Sequence, residues 1–403
     1  MRANETAMQI GNGLRGRLSL ATAGWGPDLI TLAATFFLVA LGQGLFNGIT
    51  TNYYVNDLGL NGQEVLWLTG IREIPGLSLM LIAALIMRLP LSWRTGMSLI
   101  LMGIGFALYA SVHSYLALAA VVIIASIGFH NWMPLSNSLA LSLIPKAVAG
   151  RTLGALSAIS ALASILGMGI AGLLAVALPL RTFFVLGGIL IVLGGLLIFR
   201  VPASIGQESR SQPRMLLKRR YWLYYVLTLF EGSRMQVFSA FGTLILVQEY
   251  GLDARQISLL MVISGIVNFL FARRLGHALD LVGERITLTV SYLLLALCLV
   301  GYATVHNALF LCAMLVGINL LVTLSIGLST YVNRIAPAEE LTPTLSAGVS
   351  VNHISSVGMS LLAGSLLVLV GYEALAWGAA GLIMLSVPFA LMIRVPSAPP
   401  EAA

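Results

Sequence analysis

Charge is what this sequence has least of. Of its 403 residues only 9% are Asp, Glu, Lys or Arg, while 58% are hydrophobic. Soluble domains carry about 25% charged residues, so a surface this poor in charge cannot face water over most of its area, and lipid is the expected solvent. Cysteine is nearly absent as well. Cys298 and Cys312 fall in separate apolar segments, with neither a CxxC nor a metal-ligand spacing, and read as inert core residues. Also missing are a nucleotide-binding glycine loop, a paired metal-ligand motif and a nucleophile elbow. A membrane-embedded enzyme is therefore not expected, no ATPase domain is read, and neither a cofactor nor a metal site is predicted. The first 26 residues lack the apolar run and cleavage site of a signal peptide, so the first hydrophobic helix is expected to direct insertion, and Pro396 to Ala403 read as a short tail.

What is present is a series of apolar stretches. Crossing a ~30 Å hydrocarbon core takes roughly 20 apolar residues, and such lengths occur near 28–51, 63–87, 95–112, 115–142, 152–178 and 182–199. A second set lies near 221–247, 256–273, 286–305, 308–333, 342–370 and 374–393. The predicted organisation is a cytoplasmic N-tail (1–26), a six-helix bundle (27–199), a linker (200–220), a second six-helix bundle (221–394) and a C-tail (395–403). Of the 22 Lys and Arg residues, 18 lie in the tails, the linker and the loops on one side, among them Arg88, Arg151, Lys218, Arg274 and Arg334. The opposite loops hold only Arg181 and Arg255. By the positive-inside rule both termini face the cytoplasm. The net charge of +7 is thus a topology signal, and nucleic acid is not an expected partner.

The two sets repeat. Val55-Asn-Asp-Leu-Gly-Leu-Asn61 matches Val247-Gln-Glu-Tyr-Gly-Leu-Asp253 at an offset of 192 residues, and Tyr109-Ala-Ser-Val-His-Ser114 matches Tyr302-Ala-Thr-Val-His-Asn307 at 193. Arg200-Val-Pro202 matches Arg394-Val-Pro396 at 194. Six spans per repeat leave both halves in the same orientation, related by an axis along the membrane normal, which is the geometry of two bundles rocking about a shared site. This six-plus-six plan with a basic central linker resembles the major facilitator superfamily over nearly the whole chain. The resemblance implies an all-α fold of twelve transmembrane helices in two pseudo-symmetric six-helix bundles. Gly276, Asp280, Gly283 and Arg285, between helices 8 and 9, look like the family's cytoplasmic gating signature, in which the Asp and Arg tie neighbouring helix ends together. The matching loop of the first half, Met87 to Arg94, has lost the Gly and the Asp.

Charged groups in hydrocarbon cost several kcal/mol unless paired or hydrated, so they concentrate at functional sites. Here they sit on helix 2 (Arg72, Glu73) and helix 7 (Glu231, Arg234), with histidines on helix 4 (His130) and helix 11 (His353). The family resemblance places helices 1, 4, 7 and 10 around a central cavity, with 2, 5, 8 and 11 beside them. Arg72 is about ten residues, roughly 15 Å, from the end of its helix, and the other groups lie at similar depth. Substrate contacts are predicted from Arg72, Arg234, Gln43, Asn47, His130, Asn131, Gln236, Asn319 and Asn352. Glu231, Glu73 and His353 are the candidates for proton coupling. Glu231 and Arg234, spaced i, i+3, can pair within one turn, whereas Arg72 and Glu73 point about 100° apart. The charges fit an Arg–Glu network that holds one conformation, or an arginine fork that binds a carboxylate or phosphate. Pro75 and Pro134 each free a carbonyl one turn back and can kink helices 2 and 4 near this centre.

The predicted function is proton-linked secondary transport of a small organic solute, leaning anionic, by a monomer in the plasma membrane. The partners are that solute, protons or another coupling ion, and the lipid bilayer. A multidrug or lipid exporter of the same fold is the main alternative, and it predicts charges consumed in gating pairs. A non-transporting membrane sensor is the more distant one.

Overall fold

The computed structural model describes residues 25–145, 148–206 and 217–395, without the side chains of residues 80, 81, 83, 84, 235–239 and 338. Nearly all of the N-tail and C-tail, much of the linker, and the side chain of Gln236 therefore lie outside the described residues.

Among the described residues the chain runs through twelve successive spans. In the first half α1 (Pro27–Asn47) continues through short turns to Asp57, and α2 (Gly62–Leu77) breaks at Ser78 and resumes as Leu79–Ile86. Then come α3 (Leu91–Leu108), α4 (Tyr115–Leu143), α5 (Ala149–Leu174) and α6 (Leu180–Ile198). The second half opens with α7 (Trp222–Gln248). The helical stretch Ala254–Thr304 bends at Gly283, where φ is 78°, into α8 (254–282) and α9 (284–304). After α10 (Ala308–Val322, continued by Ile326–Ile335), Ala338–Leu391 bends at Gly371, φ 76°, into α11 (338–370) and α12 (372–391). Both bends need a positive φ that only glycine adopts without strain. Of the two prolines expected to kink helices near the polar centre, Pro75 precedes a real break by three residues, whereas α4 runs through Pro134 uninterrupted.

The repeat seen in the sequence recurs in the local chemistry. Asn61 and Glu64 form a reciprocal capping box that starts α2; Asp253 and Gln256, 192 residues on, do the same for α8. Gly59 and Gly251 both take φ 68° in the preceding turn. Leu60 N–H donates to the Tyr54 carbonyl, and Leu252 N–H donates to that of Leu246. Ser114 caps α4 as Asn307 caps α10. Within the first half, small residues let helices approach to backbone contact. A Cβ on Gly187 of α6 would sit 2.6 Å from the Gly42 carbonyl of α1. In lipid such close approach substitutes for the hydrophobic drive that water supplies.

The halves meet asymmetrically. At the end carrying residues 58–61 and 249–253, called the distal end here, the Thr51 and Thr243 hydroxyls bond at 3.0 Å and the Asn52 amide donates to the Leu252 carbonyl at 2.8 Å. Trp67 Nε1 donates to the Leu361 carbonyl at 3.1 Å. Close packing of α2 on α11 runs from Gly62 against Leu367, through Gly70 against Ser360, to Gly76 against His353. On the other side of the molecule α5 packs on α8 through Gly172 against Ser258 and Ile165 against Gly265. Toward the end where α1 begins and α12 finishes, Met133, Asn137 and Val349 are exposed and border open space. The molecule is thus sealed distally and open at the terminal end.

Candidate functional site: a polar cavity between the two halves

A cavity of about 1240 Å³ lies between the bundles. Its walls come from α1, α2, α4, α5, α7, α8, α10 and α11, with Phe106, Tyr109 and Phe184 reaching in from α3 and α6. Among the described residues, α9 and α12 contribute nothing to it. Those two spans carry no charge in their central stretches, as expected of helices that turn to lipid.

The charged part of the wall is built on α2. Arg72 and Glu73 are consecutive, so they diverge by about 100° around the helix. Arg72 turns to the cavity with nearly half of its side chain exposed (46%), and its Nε donates to Glu73 Oε1 at 3.3 Å. Glu73 turns into the seam between α2, α4 and α11, where its side chain is only 4% exposed. There its Oε2 lies 3.0 Å from His353 Nδ1 and 3.5 Å from His130 Nε2. One carboxylate therefore bridges a histidine from each half, and the two imidazole rings stand edge to face with centroids 5.0 Å apart. No sequence spacing marks these three residues as a group, yet their ligand atoms fall within 4.8 Å of one another.

Ser126, one turn before His130 on α4, orients that ring. Its hydroxyl donates to the Arg72 carbonyl. With the hydroxyl proton committed, His130 Nδ1 is the donor to Ser126, whose hydroxyl oxygen is 2.9 Å and carbonyl oxygen 3.0 Å away. Sequence reasoning passed over Ser126. Its i, i+4 relation to a membrane histidine is the signal that could have found it.

Other predicted contacts divide by the way their helices turn. Gln43, Asn47, Asn319 and Asn352 border the cavity. The Asn319 amide donates to Ser264 Oγ at 3.2 Å, and Asn352 Oδ1 accepts from Ser356 at 3.4 Å. Asn131 does not reach it, because its amide is buried and donates along its own helix to the Ile127 carbonyl at 2.8 Å. Glu231 borders the cavity, but its partner Arg234 does not. The two pair across one turn of α7, and the Arg234 guanidinium lies over the Tyr292 ring of α9, 4.0 Å from its centroid. That cation–π contact in a dry setting turns Arg234 toward α9 and away from the cavity. Tyr292 could not be chosen as its partner from sequence.

The gating signature reads differently in this conformation. Asp280 and Arg285 are exposed and form no ion pair among the described residues. The acid that is engaged is their neighbour Glu284, buried at the start of α9 and 2.8 Å from Arg334 at the end of α10. At the same end Lys218 donates to Glu340 at 2.7 Å and Tyr221 at 2.8 Å, with Arg220 on the same carboxylate, tying the linker to the first turn of α11.

The sequence profile of the Major Facilitator Superfamily matches residues 32–241 and 224–403. No curated protein sequence matches the chain. Similar solved structures include the nucleoside transporter NupG, with a TM-score of 0.74 at 15% identity, covering 90% of this chain and 98% of that one. A D-xylose–proton symporter gives 0.72 at 16% identity over 91% of this chain and 98% of that chain. A POT family transporter in complex with 5-aminolevulinic acid gives 0.73 at 13% identity, over 91% and 95%. At such identities the likeness concerns the fold alone.

Proposed function

The chain belongs to the major facilitator superfamily, and from that premise we propose that it moves a small organic anion across the membrane by alternating access, driven by protons. The observation that carries the anion assignment is Arg72, a guanidinium half exposed in a cavity of about 1240 Å³ at the seam of the two halves. A guanidinium fork matches carboxylate and phosphate geometry, and Gln43, Asn47, Asn319 and Asn352 supply neutral hydrogen-bonding groups around the same space. An exposed basic group beside so many amides suits a polar anion more than an apolar drug or lipid. The exporter reading draws support from Arg234, whose charge is consumed by Glu231 and Tyr292.

Glu231 is the proposed proton carrier. It is buried, borders the cavity and faces an arginine on its own helix. The excess of Lys and Arg near the terminal end supports cytoplasmic termini in a plasma membrane, which makes the form seen here open to the cytoplasm. Closing that end and opening the distal one requires the halves to part at Thr51–Thr243, Trp67–Leu361 and Glu73–His353.

The test is uptake into proteoliposomes under an imposed pH gradient. The expected result is accumulation of an organic anion that collapses without the gradient, with Glu231→Gln retaining exchange but losing the pH drive. Accumulation of neutral solutes only, or a Glu231→Gln variant with full proton-driven uptake, would contradict it.

A further inference from the structure

Beyond transport, and independent of it, we propose that Glu73, His130 and His353 form a binding site for a divalent first-row transition metal of the Zn²⁺ type, held across the seam between the halves. Two imidazole nitrogens and a carboxylate oxygen are the donor set such ions take. Zn–N and Zn–O bonds of about 2.0–2.2 Å at tetrahedral to right angles put neighbouring ligand atoms about 2.9–3.5 Å apart. Glu73 Oε2 is 3.0 Å from His353 Nδ1 and 3.5 Å from His130 Nε2. All three ligand atoms lie within 4.8 Å, so a modest turn of one ring completes the set.

The hydrogen bonds around His130 point the same way, independently of those distances. The Ser126 hydroxyl proton goes to the Arg72 carbonyl, so His130 Nδ1 must be the N–H that faces Ser126. A neutral His130 then aims the Nε2 lone pair at the lone pairs of Glu73 Oε2. Both residues are almost wholly buried. Two acceptors facing each other in a low-dielectric seam repel unless a cation stands between them. An imidazole fixed by an N–H bond on its far nitrogen, with the near nitrogen aimed inward, is the usual arrangement of a metal-bound histidine.

Among the described residues, Arg72 is the further charge that meets the cluster from the cavity side, and it engages the other oxygen of Glu73. Its positive charge weakens a bound cation, partly screened because the side chain is half exposed. Three protein ligands leave a coordination position toward the cavity for water. The ligands come from α2 and α4 in one half and α11 in the other, so an occupied site opposes their separation and holds the distally sealed form.

The experiment titrates Zn²⁺ into the purified full chain by calorimetry, in a background where His113, His277 and His306, the other histidines of the sequence, are replaced by Ala. One Zn²⁺ per chain and a raised Tm are expected. His353→Ala and His130→Ala lose the binding. Ser126→Ala, which leaves every ligand in place, weakens it about tenfold or more, and Arg72→Gln tightens it. Co²⁺ added to the same unmutated site gives the visible absorption of a four- or five-coordinate N/O site, which decides the matter should a histidine variant fail to fold. Absence of saturable Zn²⁺ binding, Zn²⁺ binding unchanged in His353→Ala, or a Co²⁺ spectrum no different from the aqueous ion would overturn the proposal.

Discussion

The hydroxyls of Thr51 and Thr243 meet at 3.0 Å, and the two residues are 192 apart in the chain. That separation is the offset of the internal repeat, so the bond joins equivalent residues of the two halves across the pseudo-two-fold axis. It marks where the axis passes through the distal seal, and any distally open form must break it.

Thr51→Cys combined with Thr243→Cys is therefore expected to form a disulfide on mild oxidation, since Cβ atoms behind a 3.0 Å contact lie within bridging range after small adjustment. Uptake should stop on oxidation and return on reduction. A crosslinked protein that transports at the full rate would mean the distal seal does not open during the cycle.

Arg234 and Arg72 separate by their surroundings. Removing Arg234 leaves Glu231 buried without its partner and strips the face of Tyr292. Loss of one partner from a buried ion pair costs about 3–5 kcal/mol, so Arg234→Ala should lower the unfolding temperature sharply, and Arg234→Ala with Glu231→Gln should recover much of it. Thermal unfolding in detergent measures both. A stable Arg234→Ala protein would show that the pair is not structural.

The cluster at the linker gives a pH prediction. Glu340 stands in the first turn of α11, ahead of the apolar stretch. The hydrogen bond from Lys218 first, and that from Arg220 next, hold its carboxyl down at about 2, below the ordinary 4.5. A carboxyl depressed on folding adds stability above its unfolded value and loses it as pH falls toward the folded one. The difference in unfolding temperature between the unmutated chain and Glu340→Gln should thus stay flat from about pH 5 to 8 and shrink below about pH 4.5. A difference that varies through neutral pH would place another titrating group in this contact.

Much of this architecture was legible in the sequence because lipid imposes it. Span length, the one-sided Lys and Arg, and the matched segments around Gly59 and Gly251 follow from chemistry that acts locally along the chain. That Arg72, Glu73, His130 and His353 lie inside long apolar helices was readable for the same reason. Partner choice was not. Whether Arg234 faces the cavity or α9 depends on the rotation of α7, which Tyr292 settles from a distant part of the chain. Asn131 shows the same limit, since one step of about 100° from His130 takes it out of the cavity. The convergence of Glu73 with two histidines is a tertiary event between helices 2, 4 and 11, and no spacing within any of them encodes it. At the gating signature the motif drew attention to Asp280 and Arg285, whereas the buried acid is Glu284, whose partner Arg334 comes from the end of another helix.

The most direct test of the central claim is ligand stabilisation of the purified protein against organic anions, cations and neutral solutes, with Arg72→Ala beside the unmutated chain. A ligand that binds only the folded state stabilises it by about 2.7 kcal/mol at a hundredfold excess over its Kd. The account predicts stabilisation by one class of organic anion, lost in Arg72→Ala. Stabilisation by amphipathic or cationic compounds alone, or by an anion that Arg72→Ala binds equally well, would contradict it.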